Sequence, residues 1–345
     1  MAPTALLLGG TGVLRTTAER LAERGGEVTV TARDPARAPA GWATDPTALG
    51  TSVAGSVTLA LVDRTDPAAV ERAVGDGVDL LVDGQGYTPD QATALAALSR
   101  RCGTTAYLSA KAVYLDATGR HLNSPEPAHW TGPVGEEGPT MTYAGQAHSS
   151  AEGYGANKAE SERVLLERGE RVTILRPSKI HGPGARQARE WALVRRVLDG
   201  REWLPVRRGG AVESTTSAEV LARTLVRCAE LPGTRVLNVA DVPPRPAREL
   251  ASAVLEAAGR ALPQVEVPDE APDGLGSLPW GKDMVLDTSA LAAFGVEAPT
   301  FAETVGAEVE WLLAVARERG GTWQVPDWVD GGTVDYAAED AWLGR

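Results

Sequence analysis

Short apolar runs alternate with amphipathic stretches along the first half of this chain. The apolar runs are typical of buried strands and lie at residues 5–8, 28–32, 57–62, 80–82, 106–108 and 172–175. The stretches between them carry apolar residues at helical spacing and lie at residues 16–24, 67–74, 91–100 and 154–168. This alternation predicts an α/β fold with a doubly wound parallel sheet.

The pattern changes after residue 177. Helices are predicted near 188–198, 248–258 and 301–317, a strand at 236–239, and an exposed loop rich in proline and glycine at 263–281. The chain is therefore predicted to continue into a smaller C-terminal α/β region.

A glycine-rich turn, Gly9-Gly10-Thr11-Gly12, joins the first predicted strand to the first predicted helix. Glycine permits a tight turn and a close backbone approach to a ligand, and the N-terminus of the helix attracts an anion through its free N–H groups and its dipole. Strand, turn and helix in this order predict a site for the pyrophosphate of a dinucleotide.

Tyr154 and Lys158 are the candidate chemical groups. On a helix, their spacing places the phenol and the ammonium on one face, one turn apart. A unit charge ~4 Å from the phenol at an effective dielectric of ~20 is worth roughly 4 kcal/mol, which would lower the pKa of a tyrosine by up to about three units. The pair therefore predicts an acid/base whose phenolate is favoured by the cation.

Charge and composition exclude several classes of protein. The formal net charge of −12 argues against a nucleic-acid partner. No segment approaches the ~20 apolar residues of a membrane helix, and the first residues lack the basic region of a signal peptide, so a cytoplasmic protein is expected. The cysteines, Cys102 and Cys228, and four scattered histidines have no metal-ligand spacing, so no metal is expected. Only four of the 34 basic residues are lysines, which indicates a GC-rich bacterial coding background.

Three motifs together carry a family resemblance: Gly9-Gly10-Thr11-Gly12, Tyr154-x-x-x-Lys158 and Arg176-Pro177-Ser178-Lys179-Ile180-His181-Gly182-Pro183-Gly184. With them the chain resembles the extended short-chain dehydrogenases/reductases, in the NAD-dependent epimerase/dehydratase group, from residue 4 to about residue 260. The resemblance implies a Rossmann-type NAD(P)-binding domain over residues 1–178, with 213–240 returning to it. It also implies a mainly substrate-binding domain with a C-terminal tail over residues 179–345, a small-molecule substrate and a homodimer.

By the same resemblance, cofactor contacts are expected from Gly9, Thr11, Gly12, Val13, Leu14, Arg33, Asp63, Gly84, Tyr154, Lys158 and Pro177. In the family, an acidic residue at the end of the second strand binds the ribose hydroxyls of NAD, whereas a nearby arginine accommodates the 2′-phosphate of NADP. This chain has Ala32 at the acidic position, followed by Arg33. NADP is therefore expected in preference to NAD, with Asp34 as the counter-evidence.

Two positions depart from the family pattern. Arg15 stands where the third glycine is expected, so either the helix lies farther from the strand or the guanidinium turns toward the cofactor phosphates. Ala110 stands where the catalytic serine or threonine is expected. Loss of that hydroxyl would cost on the order of 2–4 kcal/mol of transition-state stabilisation if no other group replaced it.

The missing hydroxyl has several candidate replacements. Ser109 and Lys111 flank the position, although neighbouring side chains on a strand point to opposite faces. Thr142 or Tyr143 could supply the donor from the long segment 115–153, which is predicted to be either a lid or binding loop or a surface insertion without function.

The predicted function is that of an NADP-dependent oxidoreductase, epimerase or dehydratase acting on a hydroxyl or carbonyl of a nucleotide sugar or secondary metabolite. Tyr154 would be its acid/base. Lys179 stands where the family frequently has an asparagine facing the substrate, and a cation there would suit a phosphate or carboxylate. The other hypothesis is an NADP-binding sensor or scaffold with lost or altered turnover, which Ala110 and Arg15 would permit.

Overall fold

The chain folds into two compact units. The computed structural model describes residues 3–39, 41–44, 55–207, 209–268, 270–272, 274–332 and 334–343. The first unit comprises residues 1–178, 218–240 and 286–298, and the second comprises residues 179–217, 241–285 and 299–345.

The helices and strands are numbered here in chain order. The strands are β1 Thr4–Leu8, β2 Glu27–Ala32, β3 Ala43–Thr44, β4 Ser56–Leu61, β5 Leu80–Asp83, β6 Thr104–Leu108, β7 Val172–Pro177, β8 Lys179–His181, β9 Leu204–Val206, β10 Thr215–Ser217, β11 Arg235–Val239, β12 Gln264–Glu266, β13 Arg317–Arg319 and β14 Thr322–Gln324. The helices are α1 Arg15–Glu23, α2 Pro67–Val74, α3 Pro89–Ser99, α4 Ala151–Arg168, α5 Trp191–Leu198, α6 Ala218–Glu230, α7 Ala247–Ala257, α8 Ser289–Ala293, α9 Phe301–Val315 and α10 Tyr336–Leu343.

The first unit is built on one parallel sheet with the strand order β3-β4-β2-β1-β5-β6-β7-β11. Leu6 in β1 is in register with Thr29 in β2 on one side and with Leu81 in β5 on the other. The direction of strand addition therefore reverses between β1 and β5, and doubly wound sheets bind their ligands at such a point. This confirms the predicted Rossmann-type fold.

Two groups of helices pack around this sheet. Helices α2, α3 and α4 bury a core with the strands that contains Leu6, Leu81, Leu95, Tyr107 and Leu165. Helix α1 packs against α6. Helix α6 belongs to the first unit, although it follows residues 179–217 of the second unit in sequence. The strand β3, which was not predicted, is two residues long and pairs with β4 at the edge of the sheet.

The second unit has its own core. It holds the parallel strand pairs β8 with β10 and β9 with β12, and the antiparallel pair β13 with β14. Helices α5, α7 and α9 pack together, and Trp280 meets Phe301 edge-on at 5.7 Å between ring centroids. Trp323 and Trp328 in the tail pack against this core, so these aromatic side chains stabilise the unit by burial.

The chain passes between the units at positions that the sequence pattern does not mark. Residues 213–217, predicted to return with 218–240, lie in the second unit because β10 pairs with β8. Residues 286–298, predicted to lie in the C-terminal region, lie in the first unit, where α8 contacts β11. Within the described residues, none of the helices is long and apolar enough to cross a bilayer.

Candidate active site

The first two glycines of the turn after β1 have no room for a side chain. Gly9 has a φ of +82°, and its N–H donates to Oγ1 of Thr31 at 3.1 Å. A Cβ on Gly9 would overlap the side chain of Gln85, and one on Gly10 would lie 2.6 Å from Val30. The backbone is thus held in a tight turn directly before α1, as a pyrophosphate-binding turn requires.

Gly84 follows β5 beside the same turn. Its N–H donates to the Leu8 carbonyl at 3.2 Å, and a Cβ there would lie 2.6 Å from the Leu14 side chain. Leu14 directly precedes α1 and makes no side-chain capping hydrogen bond to the helix. Thr11 is buried and Val13 half-buried. Among the predicted cofactor residues, the structure thus brings Leu14 and Gly84 together.

Arg15 is the first residue of α1 and folds back onto the turn. Its Nη2 donates to the carbonyl of Thr11 at 2.9 Å. Burial lowers the pKa of the guanidinium, and the charge of Glu19 opposes that fall. The arginine therefore places its charge at the glycine turn, and its contact with cofactor phosphates stays a prediction.

A cation directly follows β2. Arg33 is exposed directly after Ala32. Asp34 accepts from the Ala36 N–H at 2.9 Å and caps the short 3₁₀ helix Pro35–Arg37. One oxygen of the neighbouring carboxylate is thus engaged by the backbone, whereas Arg33 stands at the surface.

Asp63 lies after β4 within electrostatic reach of Arg33. The Thr65 N–H and hydroxyl donate to its Oδ1 at 2.8 and 2.7 Å. These bonds, and more weakly the charge of Arg33, lower the pKa of Asp63. The structure therefore brings Arg33 and Asp63, both predicted cofactor residues, to the ends of adjacent strands.

Helix α4 carries Tyr154 and Lys158. Ser150 caps it by accepting from the Gly153 N–H at 2.9 Å. A Cβ on Gly153 would overlap the Ala147 carbonyl, so the first turn of α4 lies against the preceding segment. Tyr154 is half-buried and Lys158 is buried, with only 2% of its surface exposed.

The ammonium of Lys158 is enclosed by backbone carbonyls and aromatic rings. Its Nζ donates to the carbonyls of Gly86 and Leu108, each at 2.6 Å. The ring centroids of Tyr87 and Tyr107 lie 5.0 and 4.7 Å from Nζ. The carbonyls follow β5 and end β6, so this lysine is fixed at the C-terminal edge of the sheet.

Burial lowers the pKa of Lys158 to about 8. The carboxylates of Asp83 and Glu162 oppose this fall, and Arg64 reinforces it. A buried lysine with a lowered pKa is a candidate functional residue.

Sequence analysis missed the buried ion pair beside this lysine. Arg64 Nε donates to Asp83 Oδ2 at 3.0 Å, and both side chains are buried. Asp83 Oδ1 also accepts from the Gln85 N–H at 3.0 Å, which fixes the turn that leads to Gly86. The signal in the sequence is an acidic residue followed by Gly-x-Gly directly after a buried strand.

Ser109 does not point its hydroxyl at an open site. Its Oγ donates to Glu162 Oε1, and both side chains are buried. Arg176 in turn donates from Nη2 to Glu162 at 2.5 Å and from Nη1 to the Tyr114 hydroxyl at 2.9 Å. Ser109 as the third catalytic group stays a prediction, and the bond to Glu162 competes with that role.

The same buried network continues to β11. The Tyr114 hydroxyl donates to Asn238 Oδ1 at 2.7 Å, and burial raises the pKa of Tyr114 to about 12. It thus joins the ends of β6, β7 and β11 to α4. Pro177, a predicted cofactor residue, is the last residue of β7, follows Arg176 and is buried.

The residues considered for the missing hydroxyl differ in solvent exposure. Ala110 is half-buried and precedes a 3₁₀ helix, Lys111–Val113, in which Lys111 is buried. Thr142 is exposed. The structure therefore ends the strand before Lys111, and Thr142 lies at the surface.

The long segment before α4 is ordered by Asp116. Its Oδ1 accepts from the N–H groups of Thr118 and Arg120 at 2.8 and 2.9 Å, and its Oδ2 accepts from the His129 N–H at 2.8 Å. His121 Nε2 lies 2.8 Å from a carboxylate oxygen of Glu152 at the start of α4. The segment is thus tied to the helix that carries Tyr154.

Lys179 lies at the start of β8 in the second unit. Its Nζ is 3.8 Å from Glu213 Oε1, and its side chain is 24% exposed. Burial lowers its pKa, and Glu213 opposes that fall. Across the described parts of the chain, no group of three or more His, Cys, Asp or Glu side chains is placed to hold a metal ion.

The fold and these motifs define a class of enzyme, the NAD(P)-dependent oxidoreductases of the short-chain dehydrogenase/reductase type. The chain belongs to the NAD dependent epimerase/dehydratase family, whose model matches residues 5–240. No match is found among curated proteins.

Three solved structures show the same fold. WbmH of Bordetella bronchiseptica, in complex with NAD+, is 19% identical with a TM-score of 0.65, over 91% of this chain and 99% of that one. UDP-glucose 4-epimerase of Thermotoga maritima, with UDP-glucose, is 14% identical with a TM-score of 0.61, over 90% and 99%. dTDP-glucose 4,6-dehydratase of Bacillus anthracis, in complex with NAD, is 12% identical with a TM-score of 0.63, over 91% and 97%.

Proposed function

We propose that this enzyme transfers a hydride at a hydroxyl or carbonyl carbon of a small molecule, with Tyr154 as the acid/base. The observation that carries the proposal is the buried Lys158, whose ammonium is held at the edge of the sheet one helical turn from Tyr154. A buried cation next to a half-buried phenol favours the phenolate, because the developing negative charge lies beside a positive one in a poorly solvated site.

The roles of the two residues follow from their surroundings. Tyr154 would take a proton from the substrate hydroxyl or return it to the carbonyl oxygen. Lys158 gives two of its three N–H groups to the carbonyls of Gly86 and Leu108, and we assign the third to the nicotinamide ribose. The nicotinamide, when bound, would accept or supply the hydride.

The glycine turn fits a dinucleotide. Side chains at Gly9 or Gly10 would overlap or crowd their neighbours, and Arg15 brings a cation to the turn. We therefore assign the pyrophosphate to this turn and to the start of α1.

We propose that NADP is preferred over NAD. The exposed Arg33 and the absence of an acid at Ala32 support this preference, since a 2′-phosphate needs a cation at the end of β2. The solved structures that contain NAD are 12–19% identical to this chain, so they support its fold and do not determine whether it prefers NAD or NADP.

Nucleotide sugars are the proposed substrates. Two of the solved relatives carry UDP-glucose or dTDP-glucose in their names, and Lys179 offers a cation that suits a phosphate. A ketone or alcohol of secondary metabolism is the rival substrate class, because a single half-buried lysine near Glu213 does not require a diphosphate.

The test follows NADPH and NADH absorbance with a panel of nucleotide sugars, ketones and alcohols, comparing the wild type with Tyr154→Phe. Product analysis of the same mixtures detects epimerisation, which returns the cofactor unchanged. We expect turnover with at least one compound and a loss on the order of 10²–10⁴-fold in Tyr154→Phe, with cofactor binding by fluorescence retained. Equal turnover of the two proteins would refute Tyr154 as the acid/base.

A second function, an NADP-binding sensor or scaffold, is favoured by two observations. Ala110 has no hydroxyl, and the Ser109 hydroxyl donates to Glu162. If NADPH binds and no compound of the panel turns over in either protein, this second function would replace the first.

We also propose a homodimer, and the family resemblance is its support. Light scattering in solution should give twice the chain mass of 36.1 kDa. A mass equal to one chain at micromolar concentration would contradict it.

A further inference from the structure

Tyr87 is an aromatic residue of the site that neither the motifs nor the proposed mechanism uses. Its ring centroid lies 5.0 Å from Lys158 Nζ and 6.5 Å from the ring centroid of Tyr154. Tyr107 lies 4.7 Å from the same Nζ, but it is fully buried and its hydroxyl donates to the Gly86 carbonyl at 2.8 Å. Tyr87 is therefore the one ring of this pair that faces solvent.

The position of Tyr87 is fixed by its backbone. Its N–H donates to Gln91 Oε1 at 2.8 Å, and Gln91 belongs to a capping box with Thr88 at the start of α3. The ring also stacks on His148, with centroids 5.9 Å apart and planes inclined by 21°. Both the chain and the ring are thus held where the ring face meets the ammonium.

We infer that Tyr87 is a positioning residue of the Tyr154–Lys158 pair, whose ring stabilises the charged form of Lys158 and covers it from water. The electron-rich face of an aromatic ring attracts a cation, and the attraction grows when water is excluded. The inference rests on the proposed function only in giving Lys158 a part in the reaction.

The other charges around Lys158 lie on separate elements. Asp83 after β5 and Glu162 on α4 favour the ammonium, and Arg64 after β4 disfavours it. Arg64 is paired with Asp83, and Arg176 from β7 with Glu162. Tyr107 contributes the second aromatic ring near the Lys158 ammonium. A substitution at Tyr87 leaves all of these groups in place.

The experiment measures the charge of Lys158 directly. The chain has only four lysines, Lys111, Lys158, Lys179 and Lys282. Uniform labelling with ¹³Cε-lysine therefore gives four signals, which single Lys→Arg variants assign. Their chemical shifts, followed against pH, report each pKa without substrate or cofactor.

Two variants separate the ring from the hydroxyl. Tyr87→Phe keeps the ring and should leave the pKa of Lys158 unchanged. Tyr87→Leu keeps an apolar cover and loses the ring, so the pKa should fall by roughly half a unit to one unit. An unchanged or higher pKa in Tyr87→Leu would overturn the inference, as would the same fall in Tyr87→Phe.

A matched control exists in Tyr143. It is 36% exposed, as Tyr87 is, and makes no ring contact with a lysine in the part of the chain that the structure describes. Tyr143→Leu should leave the pKa of Lys158 unchanged, and an equal fall there would also overturn the inference. Thermal melts confirm that each variant is folded. The titration of Lys158 needs no turnover, so it tests the role of Tyr87 alone. Full turnover in Tyr154→Phe would refute the proposed function and would leave the role of Tyr87 untouched.

Discussion

The hydroxyl of Ser109 donates to the carboxylate of Glu162 in the buried layer between β6 and α4. Glu162 follows Lys158 by one helical turn, so Tyr154, Lys158 and Glu162 succeed one another along one side of α4. The last of the three is held by Arg176. The side of the helix that carries the proposed chemistry thus ends in a structural anchor, and that anchor engages the serine nearest to the site.

Ser109→Ala should change turnover by less than about threefold, because its hydroxyl is engaged by Glu162, whereas loss of a transition-state donor typically costs about 10²–10³-fold. The measurement is kcat on a substrate from the panel. A hundredfold loss in Ser109→Ala would instead identify that serine as the missing donor.

Ala110→Ser should raise turnover by at least about tenfold if its new hydroxyl reaches the reacting oxygen. This change is also measured as kcat on a substrate from the panel.

Arg33→Ala should weaken NADP binding by roughly ten- to a hundredfold, since a charge-assisted contact to phosphate would be lost, and leave NAD binding within about twofold. Arg37→Ala is the matched control, because Arg37 is also exposed and lies 3.8 Å from Asp34. Fluorescence titration with both dinucleotides gives the affinities. An unchanged affinity for NADP in Arg33→Ala would remove the proposed preference.

Lys158 should make folding stability depend on pH in the alkaline range. Burial lowers its pKa from the ordinary lysine value of 10.5, which applies to the unfolded chain, to about 8 in the folded protein. Between these values the unfolded chain binds more protons than the native one, so stability rises with pH there. Relative to Lys158→Met, the wild type should gain roughly 3 kcal/mol between about pH 7 and about pH 10.5. Urea unfolding of both proteins checks this, and parallel pH profiles would contradict it.

Gly155→Ala should destabilise the first unit by about 1–3 kcal/mol through overpacking. A Cβ there would overlap the carbonyl of Ala112 and lie 2.5 Å from Met141 Sδ. Gly306→Ala is the control, since Gly306 is also helical and, outside its own helix, no described atom lies within 4 Å of such a Cβ. The control should stabilise by up to about 1 kcal/mol. Thermal melts that rank the two variants the other way would show that α4 can move away from Ala112.

The sheet and the cofactor turn could be predicted because their signals are local. An apolar run such as residues 5–8 followed by Gly9 indicates a strand and a turn without reference to the rest of the chain. Tyr154 and Lys158 are likewise neighbours on one helix. These features depend on spacings of a few residues, which a single sequence displays directly.

The environment of Lys158 could not be predicted in this way. Gly86 and Leu108 contribute carbonyls, which have no signature in the sequence, from positions 72 and 50 residues away. Ser109 meets Glu162 across 53 residues. Such contacts follow from the strand order, because the ends of β5 and β6 become adjacent only once the sheet has formed.

The return of residues 286–298 to the first unit has a consequence for how the protein is made. The Asn238 amide donates to the carbonyls of Val134 and Asp287 at 2.8 and 3.1 Å, and the Asp287 N–H donates to Val134 at 2.9 Å. A nascent chain that has reached residue 240 lacks one acceptor for that buried amide and lacks α8 on β11. The unit that begins at the N-terminus is therefore completed on the ribosome only after two of the three segments of the other unit have been synthesised.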